Sequence, residues 1–167
     1  MASNIHNVLV LCTGNSARSI LCEALINHHG KGRFRAYSAG SFPTGKVNSY
    51  ALRLLNEMNI PVENPRSKSW EEFAQPGAPQ LDYVITVCDN AAGEVCPVWP
   101  GHPMTAHWGV EDPAHVQGTD EDKMQAFRHA FLILDARVRL FVALPLASLD
   151  RMQFHQRFKD IGKAMPV

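Results

Sequence analysis

Asn7-Val8-Leu9-Val10-Leu11-Cys12, followed at once by Thr13-Gly14-Asn15-Ser16-Ala17-Arg18-Ser19, decides how this chain of 167 residues folds. Val8 to Leu11 is apolar without interruption and ends in a Gly-containing loop, as a strand buried on both faces of a parallel sheet does. A helix is expected from Arg18 through Leu21, Ala24 and Leu25 to a stop at His28-His29-Gly30. A tight loop opening into a helix N-terminus turns successive backbone N–H groups inward. That makes a nest for an anion, which the helix dipole reinforces. Gly14 is expected to supply backbone angles that a Cβ resists, and Asn15 tolerates the left-handed region better than most residues. Arg18 offers a planar fork of donors that fits two oxygens of a tetrahedral oxyanion. Such positive surroundings are expected to lower the pKa of Cys12 and favour its thiolate. Cys12 is therefore the candidate nucleophile. Thr13, Gly14, Asn15, Ser16, Ala17 and Arg18 form the candidate oxyanion cradle, and Ser19 is placed to donate to the sulfur. A lone Cys and a lone Arg would read as a strand-end cysteine and a surface charge. Here strand, Cys, a five-residue spacer with Gly and Asn, Arg, Ser and helix coincide.

Outward from this stretch, Phe34 to Ala39 reads as a second strand closed by Gly40. Asn48 or Ser49 caps a helix with apolar Val47, Ala51, Leu54, Leu55 and Met58 at helical spacing. Ser69 caps a single turn, Trp70 to Phe73. Leu81 to Cys88 is rich in β-branched residues and reads as a third strand. After the Pro- and Gly-rich segment Cys96 to Pro103 comes a short fourth run, Met104 to Trp108. A long helix is expected from Asp120 to Leu144, with Met124, Phe127, Phe131, Leu134, Val138 and Phe141 on one stripe and Pro145 as its stop. Ser148 is expected to cap a last helix that ends near Ile161. Strands alternating with helices imply an α/β fold with a four-stranded parallel sheet and helices on both faces. One domain over residues 1–167 is expected, with no repeat or linker.

Composition narrows the function. Hydrophobic residues make up 46% and charged residues 19%, so the chain is globular and not disordered. Sixteen basic against sixteen acidic residues give zero net charge, which speaks against nucleic-acid or anionic-membrane partners. No segment reaches the ~18 apolar residues of a membrane span, and Val8 to Leu11 is too short for a signal-peptide core. A cytoplasmic location is expected, and there four cysteines are read as reduced and reactive sooner than as disulfides. Cys88 ends its strand at the same sheet edge as Cys12, where ligands of parallel sheets bind. Cys96 follows eight residues later, across a spacer with Gly and polar residues. Cys22 falls inside the first helix and packs in the core. No Cys-x-x-Cys pair exists and the histidines are out of register with the cysteines, so no metal is expected. Pro113 keeps Asp112 out of helix and in an extended or turn conformation.

Cys-x5-Arg-Ser directly after the first strand resembles the low-molecular-weight protein tyrosine phosphatase family. The loop, Tyr37-Ser38-Ala39-Gly40 and His107-Trp108-Gly109-Val110-Glu111-Asp112-Pro113-Ala114 together resemble its arsenate reductase branch. The likeness runs from the first strand to the long helix. It implies that Cys12 attacks arsenate with Asp112, sooner than its neighbour Glu111, as general acid. It further implies that Cys88 attacks Cys12 to release arsenite, and that a Cys12–Cys88 disulfide passes to Cys88–Cys96. Thioredoxin or another dithiol regenerates the thiols, phosphate competes, and no cofactor is bound. The Cys88–Cys96 spacing is one residue longer than in the best-known thioredoxin-coupled members. Ala114 stands where tyrosine phosphatases commonly carry an aromatic, which argues against a deep slot for an aryl phosphate. Ala17 stands where phosphatases often carry a second cysteine. In some reductases of the branch a potassium ion sits beneath the loop, on side chains that match Asn15, Glu23 and Ser38. The fourth position falls on Lys68, whose ammonium is expected to replace the metal and pair with Glu23. The alternatives are a phosphatase working through a phospho-Cys12, and a glutathione/glutaredoxin route of reduction. A monomer is expected.

Overall fold

Four parallel strands form one sheet in the order β2-β1-β3-β4 in the computed structural model, which describes residues 5–88 and 102–166. They are β1 (His6–Cys12), β2 (Phe34–Gly40), β3 (Tyr83–Thr86) and β4 (Met104–His107). Cys12 lies opposite Gly40 on one side, and Leu11 opposite Thr86 on the other. The order places β1 at the point where the chain turns from one side of the sheet to the other. In open α/β sheets the crevice for a ligand opens there, beyond the carboxyl ends of the strands.

Side chains alternate along β1, so its two faces build two cores. Val8, Val10 and Cys12 join the larger one, with apolar residues of α1 (Arg18–His29), α2 (Ser49–Glu57), α3 (Asp120–Val142) and α4 (Arg151–Asp160). Leu9 and Leu11 join the smaller one, closed by Trp70 and Phe73 of a 3-10 turn (Trp70–Phe73) with Leu81, Val84 and Ala39. Among the described residues the helical cover is thus unequal between the faces. No described helix is long and apolar enough to cross a membrane.

Several expected boundaries move. Ladder pairing of β3 is confined to Tyr83–Thr86, because Asp82 is engaged with Asn7 through both its N–H and its carboxylate. Val87 N–H still reaches Leu11 O at 2.9 Å, and the chain then bends at Cys88. Asn48, not Ser49, caps α2, its side chain accepting from Tyr50 N–H. Thr119 and Asp122 form a capping box on α3, which ends at Val142, before Leu144. Asp150, not Ser148, caps α4, in a capping box with Gln153. Ser148 is instead the end of a turn that begins at Pro145.

Candidate active site

Outward hydrogen bonds shape the loop between β1 and α1. Thr13 O accepts from Phe42 N–H at 3.0 Å, Gly14 O from Thr44 N–H at 3.0 Å, and Ser16 O from Asn48 N–H at 2.8 Å. Ser67 Oγ also donates to Gly14 O. A trans peptide points its carbonyl and the following N–H in opposite directions. Tying these carbonyls outward therefore turns the N–H groups of Gly14, Asn15 and Ala17 inward. Gly14 N–H meets the Cys12 sulfur. No side chain caps the start of α1, so its first N–H groups add to the cradle.

Asn15 is the left-handed residue of the loop, with φ 45°. Gly14 does not have positive φ, contrary to the expectation; a Cβ there would lie 3.3 Å from Thr44 Cγ2, which would have to give by a few tenths of an ångström. Gly40 is under tighter constraint. A Cβ at Gly40 would collide with the carbonyl oxygens of Thr13 and Cys12 and with Asn15 N. The buried Asn15 side chain fastens the loop from within, donating to Ser19 Oγ at 2.8 Å and accepting from Lys68 N–H at 2.8 Å. Ser19 Oγ thus has an acceptor role filled, which leaves its proton to be donated.

Cys12 and Cys88 meet at this edge. Cys88 Sγ accepts from Thr13 N–H at 3.2 Å, and Thr13 Oγ1 lies 3.5 Å away. The Cys12 thiol is pushed up, first by its hydrogen bond to Cys88 and then by burial, with Arg18 and Gly14 N–H pulling the other way. The expected lowering of Cys12 is thereby reversed. Arg18 acts in the direction expected, but a neighbouring sulfur and burial outweigh it. Because Cys88 Sγ is the acceptor for Thr13 N–H, the two thiols are best described as a pair sharing protons. Cys22 is fully buried in α1 and burial pushes its thiol up, which disfavours the reactive thiolate there. Cys96 lies outside the described residues.

Arg18 Nη1 donates to Val110 O at 2.8 Å, and Nη2 lies 3.4 Å from Asp112 Oδ2. Asp112 caps a 3-10 turn (Pro113–His115), its Oδ1 accepting from Ala114 N–H at 2.9 Å. The proline holds φ and lacks an N–H, so the turn starts where it stands. Arg18, Cys88, Gly109, Val110, Glu111, Asp112 and His115 line a cavity of about 390 Å³. Cys12, Arg18, Cys88 and Asp112 are thus brought together.

Three features escaped the sequence. His115 Nε2 lies 3.3 Å from Asp112 Oδ2. Val110 supplies a carbonyl to Arg18. Arg137 is buried in α3 and donates to Trp108 O, Gly109 O and Ala164 O, at 3.0 to 3.1 Å, fixing the backbone that leads to Asp112. A signal for Arg137 existed: it sits on the same helical stripe as Leu134, Val138 and Phe141.

Beneath the loop, burial pushes the Glu23 carboxyl up, against the pull of Lys68 and Ser38. Ser38 Oγ is buried without a partner in strict hydrogen-bond geometry. Lys68 Nζ donates to Arg66 O at 3.3 Å, and burial pushes the ammonium down while Glu23 holds it up. Among the described residues no group of three His, Cys, Asp or Glu side chains is arranged to hold a metal ion.

Known proteins resemble this chain in sequence and in fold. The chain is 34% identical over 134 residues to an arsenate reductase of Shouchella clausii, covering 80% of this chain and 93% of the relative. The arsenate reductase of Archaeoglobus fulgidus has a similar structure, with TM-score 0.64 and 29% identity over 82% of this chain and 99% of the other. A thioredoxin-dependent arsenate reductase of Corynebacterium glutamicum gives TM-score 0.59 and 26% identity over 83% of this chain and 61% of the other. Residues 7–153 match the low molecular weight phosphotyrosine protein phosphatase family. With that match spanning the strand, the Cys12 loop and the Asp112 turn, the chain belongs to this family.

Proposed function

We propose that this chain reduces arsenate to arsenite by a thiol relay in the cytoplasm, with thioredoxin as the electron donor. The observation that carries the proposal is the pairing of Cys88 with Cys12 at the mouth of the oxyanion loop. Hydrolysis through a phospho-cysteine needs no second thiol there. The arsenate reductases among its relatives support the substrate. The Corynebacterium glutamicum neighbour supports the donor.

In the first step the proton that the resting pair keeps on Cys12 passes to Cys88, leaving Cys12 as a thiolate held by Gly14 N–H and Arg18. Inward N–H groups of the loop and Arg18 bind three oxygens of arsenate, and phosphate competes because it has the same shape and charge. Cys12 sulfur bonds to arsenic, and one oxygen, protonated by Asp112, leaves as water. Cys88 then gives up its proton to solvent, and its thiolate attacks Cys12 sulfur. The sulfur–arsenic bond breaks, its electron pair stays on arsenic, and arsenite departs, leaving a Cys12–Cys88 disulfide. Each arsenate thus takes two electrons from two thiolates. Cys96 attacks Cys88, and an external dithiol reduces the resulting Cys88–Cys96 disulfide by the same exchange. Ser19, oriented by Asn15, donates to Cys12 sulfur when it leaves. Asn15, Glu23, Ser38 and Lys68 support the loop from below. With Lys68 in place of a fourth oxygen ligand, its ammonium supplies the positive charge there. Replacing sodium by potassium is therefore expected to change neither stability nor activity.

The test is arsenate-dependent NADPH consumption with thioredoxin and thioredoxin reductase. Cys12→Ser, Cys88→Ser and Cys96→Ser are each expected to abolish it. Residual aryl-phosphate hydrolysis, which needs only Cys12, Arg18 and Asp112, is expected to survive the last two changes. Full arsenate turnover by Cys96→Ser would remove the third thiol from the relay and favour glutathione with glutaredoxin as donor.

A further inference from the structure

His115 enters the site from the turn that Asp112 caps. Its Nε2 is 3.3 Å from Asp112 Oδ2, the same oxygen that faces Arg18 Nη2 at 3.4 Å. The other carboxylate oxygen is engaged by Ala114 N–H. The His115 side chain is 84% exposed against 20% for Asp112, and it lines the same cavity. It therefore connects the acid to bulk water. Among the described residues, Arg18, Cys88 and Glu111 share this cavity with the pair. His129 and Arg137 of α3 line a neighbouring cavity together with Asp112 and His115.

An acid beside an arginine has a difficulty. The carboxylate oxygen that faces the guanidinium at 3.4 Å is also the one that has to deliver a proton, so each turnover needs a proton brought to it. Imidazole exchanges its proton near neutrality, where a proton donor is most effective. We propose that His115 is the proton reservoir of Asp112, and that the two side chains work as one acid. This rests on the reading of Asp112 as the acid in arsenate reduction. The proton on His115 Nε2 passes to Asp112 Oδ2, and from the carboxyl to the oxygen leaving arsenic, which departs as water. Asp112 ends as the carboxylate. His115 ends as neutral imidazole and regains its proton from solvent. One proton moves twice and no other group changes charge.

The test is the pH dependence of single-turnover arsenite release from reduced protein, for wild type, His115→Gln, His115→Ala and Asp112→Asn. The wild-type rate is expected to fall above the pH at which imidazole loses its proton. His115→Gln is expected to be about tenfold slower below that pH, a part of what proton donation is worth. The two profiles should converge above it, because there the wild type also lacks the imidazolium. Imidazole in solution should partly restore His115→Ala, and Asp112→Asn should be slow throughout. A His115→Gln profile that superimposes on wild type, or lies below it by one factor at every pH, overturns the reservoir. If Asp112→Asn is still slow, the acid reading survives that result. An Asp112→Asn protein as fast as wild type overturns both.

Discussion

Removing Cys88 is expected to make Cys12 more reactive, although Cys88 is the proposed partner in the same reaction. The hydrogen bond to Cys88 is the first cause that pushes the Cys12 thiol up, and the charge of Cys88 acts in the same direction. Cys88→Ala deletes both and leaves Arg18 and Gly14 N–H in place. A hydrogen bond of this kind contributes roughly 1 to 1.5 kcal/mol, which corresponds to about one pKa unit. The thiolate fraction of Cys12 at pH 7 should therefore rise about tenfold, since the thiolate is the reactive form. The assay is the rate of iodoacetamide labelling of Cys12, located by peptide mass spectrometry and followed against pH. Wild type and Cys88→Ala are compared, each also in a Cys96→Ser background so that the third thiol does not intervene. A labelling rate that stays the same or falls in Cys88→Ala would refute the view that Cys88 keeps Cys12 protonated.

Other substitutions test the scaffold around these thiols. Arg137→Met removes the donor to Trp108, Gly109 and Ala164 carbonyls. Lost hydrogen bonds, offset by no longer burying a charge, should lower unfolding stability by about 2 kcal/mol; an unchanged urea midpoint would contradict this. Gly40→Ala drives a Cβ into the Thr13 and Cys12 carbonyls. A loss of about 1 to 3 kcal/mol is expected, with weaker inhibition by phosphate, and retention of both stability and phosphate inhibition would count against the tight approach of β2 to the loop. Glu23 is pushed up by burial, so the fold favours its protonated form. Its stabilising contribution is full below the ordinary carboxylate range and is lost as pH rises through the folded-state value. Glu23→Gln should thus resist urea better than wild type at pH 7, and the gap should close as pH falls to that range. A less stable Glu23→Gln at pH 7 would mean that the attraction of Lys68 outweighs burial.

The features that were legible in the sequence are local ones. Val8 to Leu11, the spacing from Cys12 to Arg18 and the left-handed Asn15 all follow from neighbouring residues, and the structure places them as the pattern implies. Cys88 was legible at the coarser level of topology, because two strands running to one edge bring together the residues at and just beyond their ends, although β3 itself stops at Thr86. What escaped depends on contacts far apart in the chain. Arg137 reads as one more charge on a helix until the carbonyls of Trp108 and Gly109 are seen to need it, 29 and 28 residues away. His115 gains meaning only from a turn that folds it back on Asp112. The sequence displays the favourable charge of Arg18 beside Cys12, but neither the depth of burial nor the second sulfur that push the thiol up. The tight requirement at Gly40 likewise arises from the parallel register that sets it opposite Cys12.

The central claim is that Cys12 and Cys88 together deliver two electrons to one bound oxyanion. Reduced Cys96→Ser protein mixed with one equivalent of arsenate, without any other reductant, tests it most directly by arsenite yield and disulfide mapping. The expected result is one arsenite per chain and a Cys12–Cys88 disulfide in the same amount. Arsenate recovered unchanged, with both cysteines still reduced, would contradict the account and leave the loop to phosphate-ester hydrolysis.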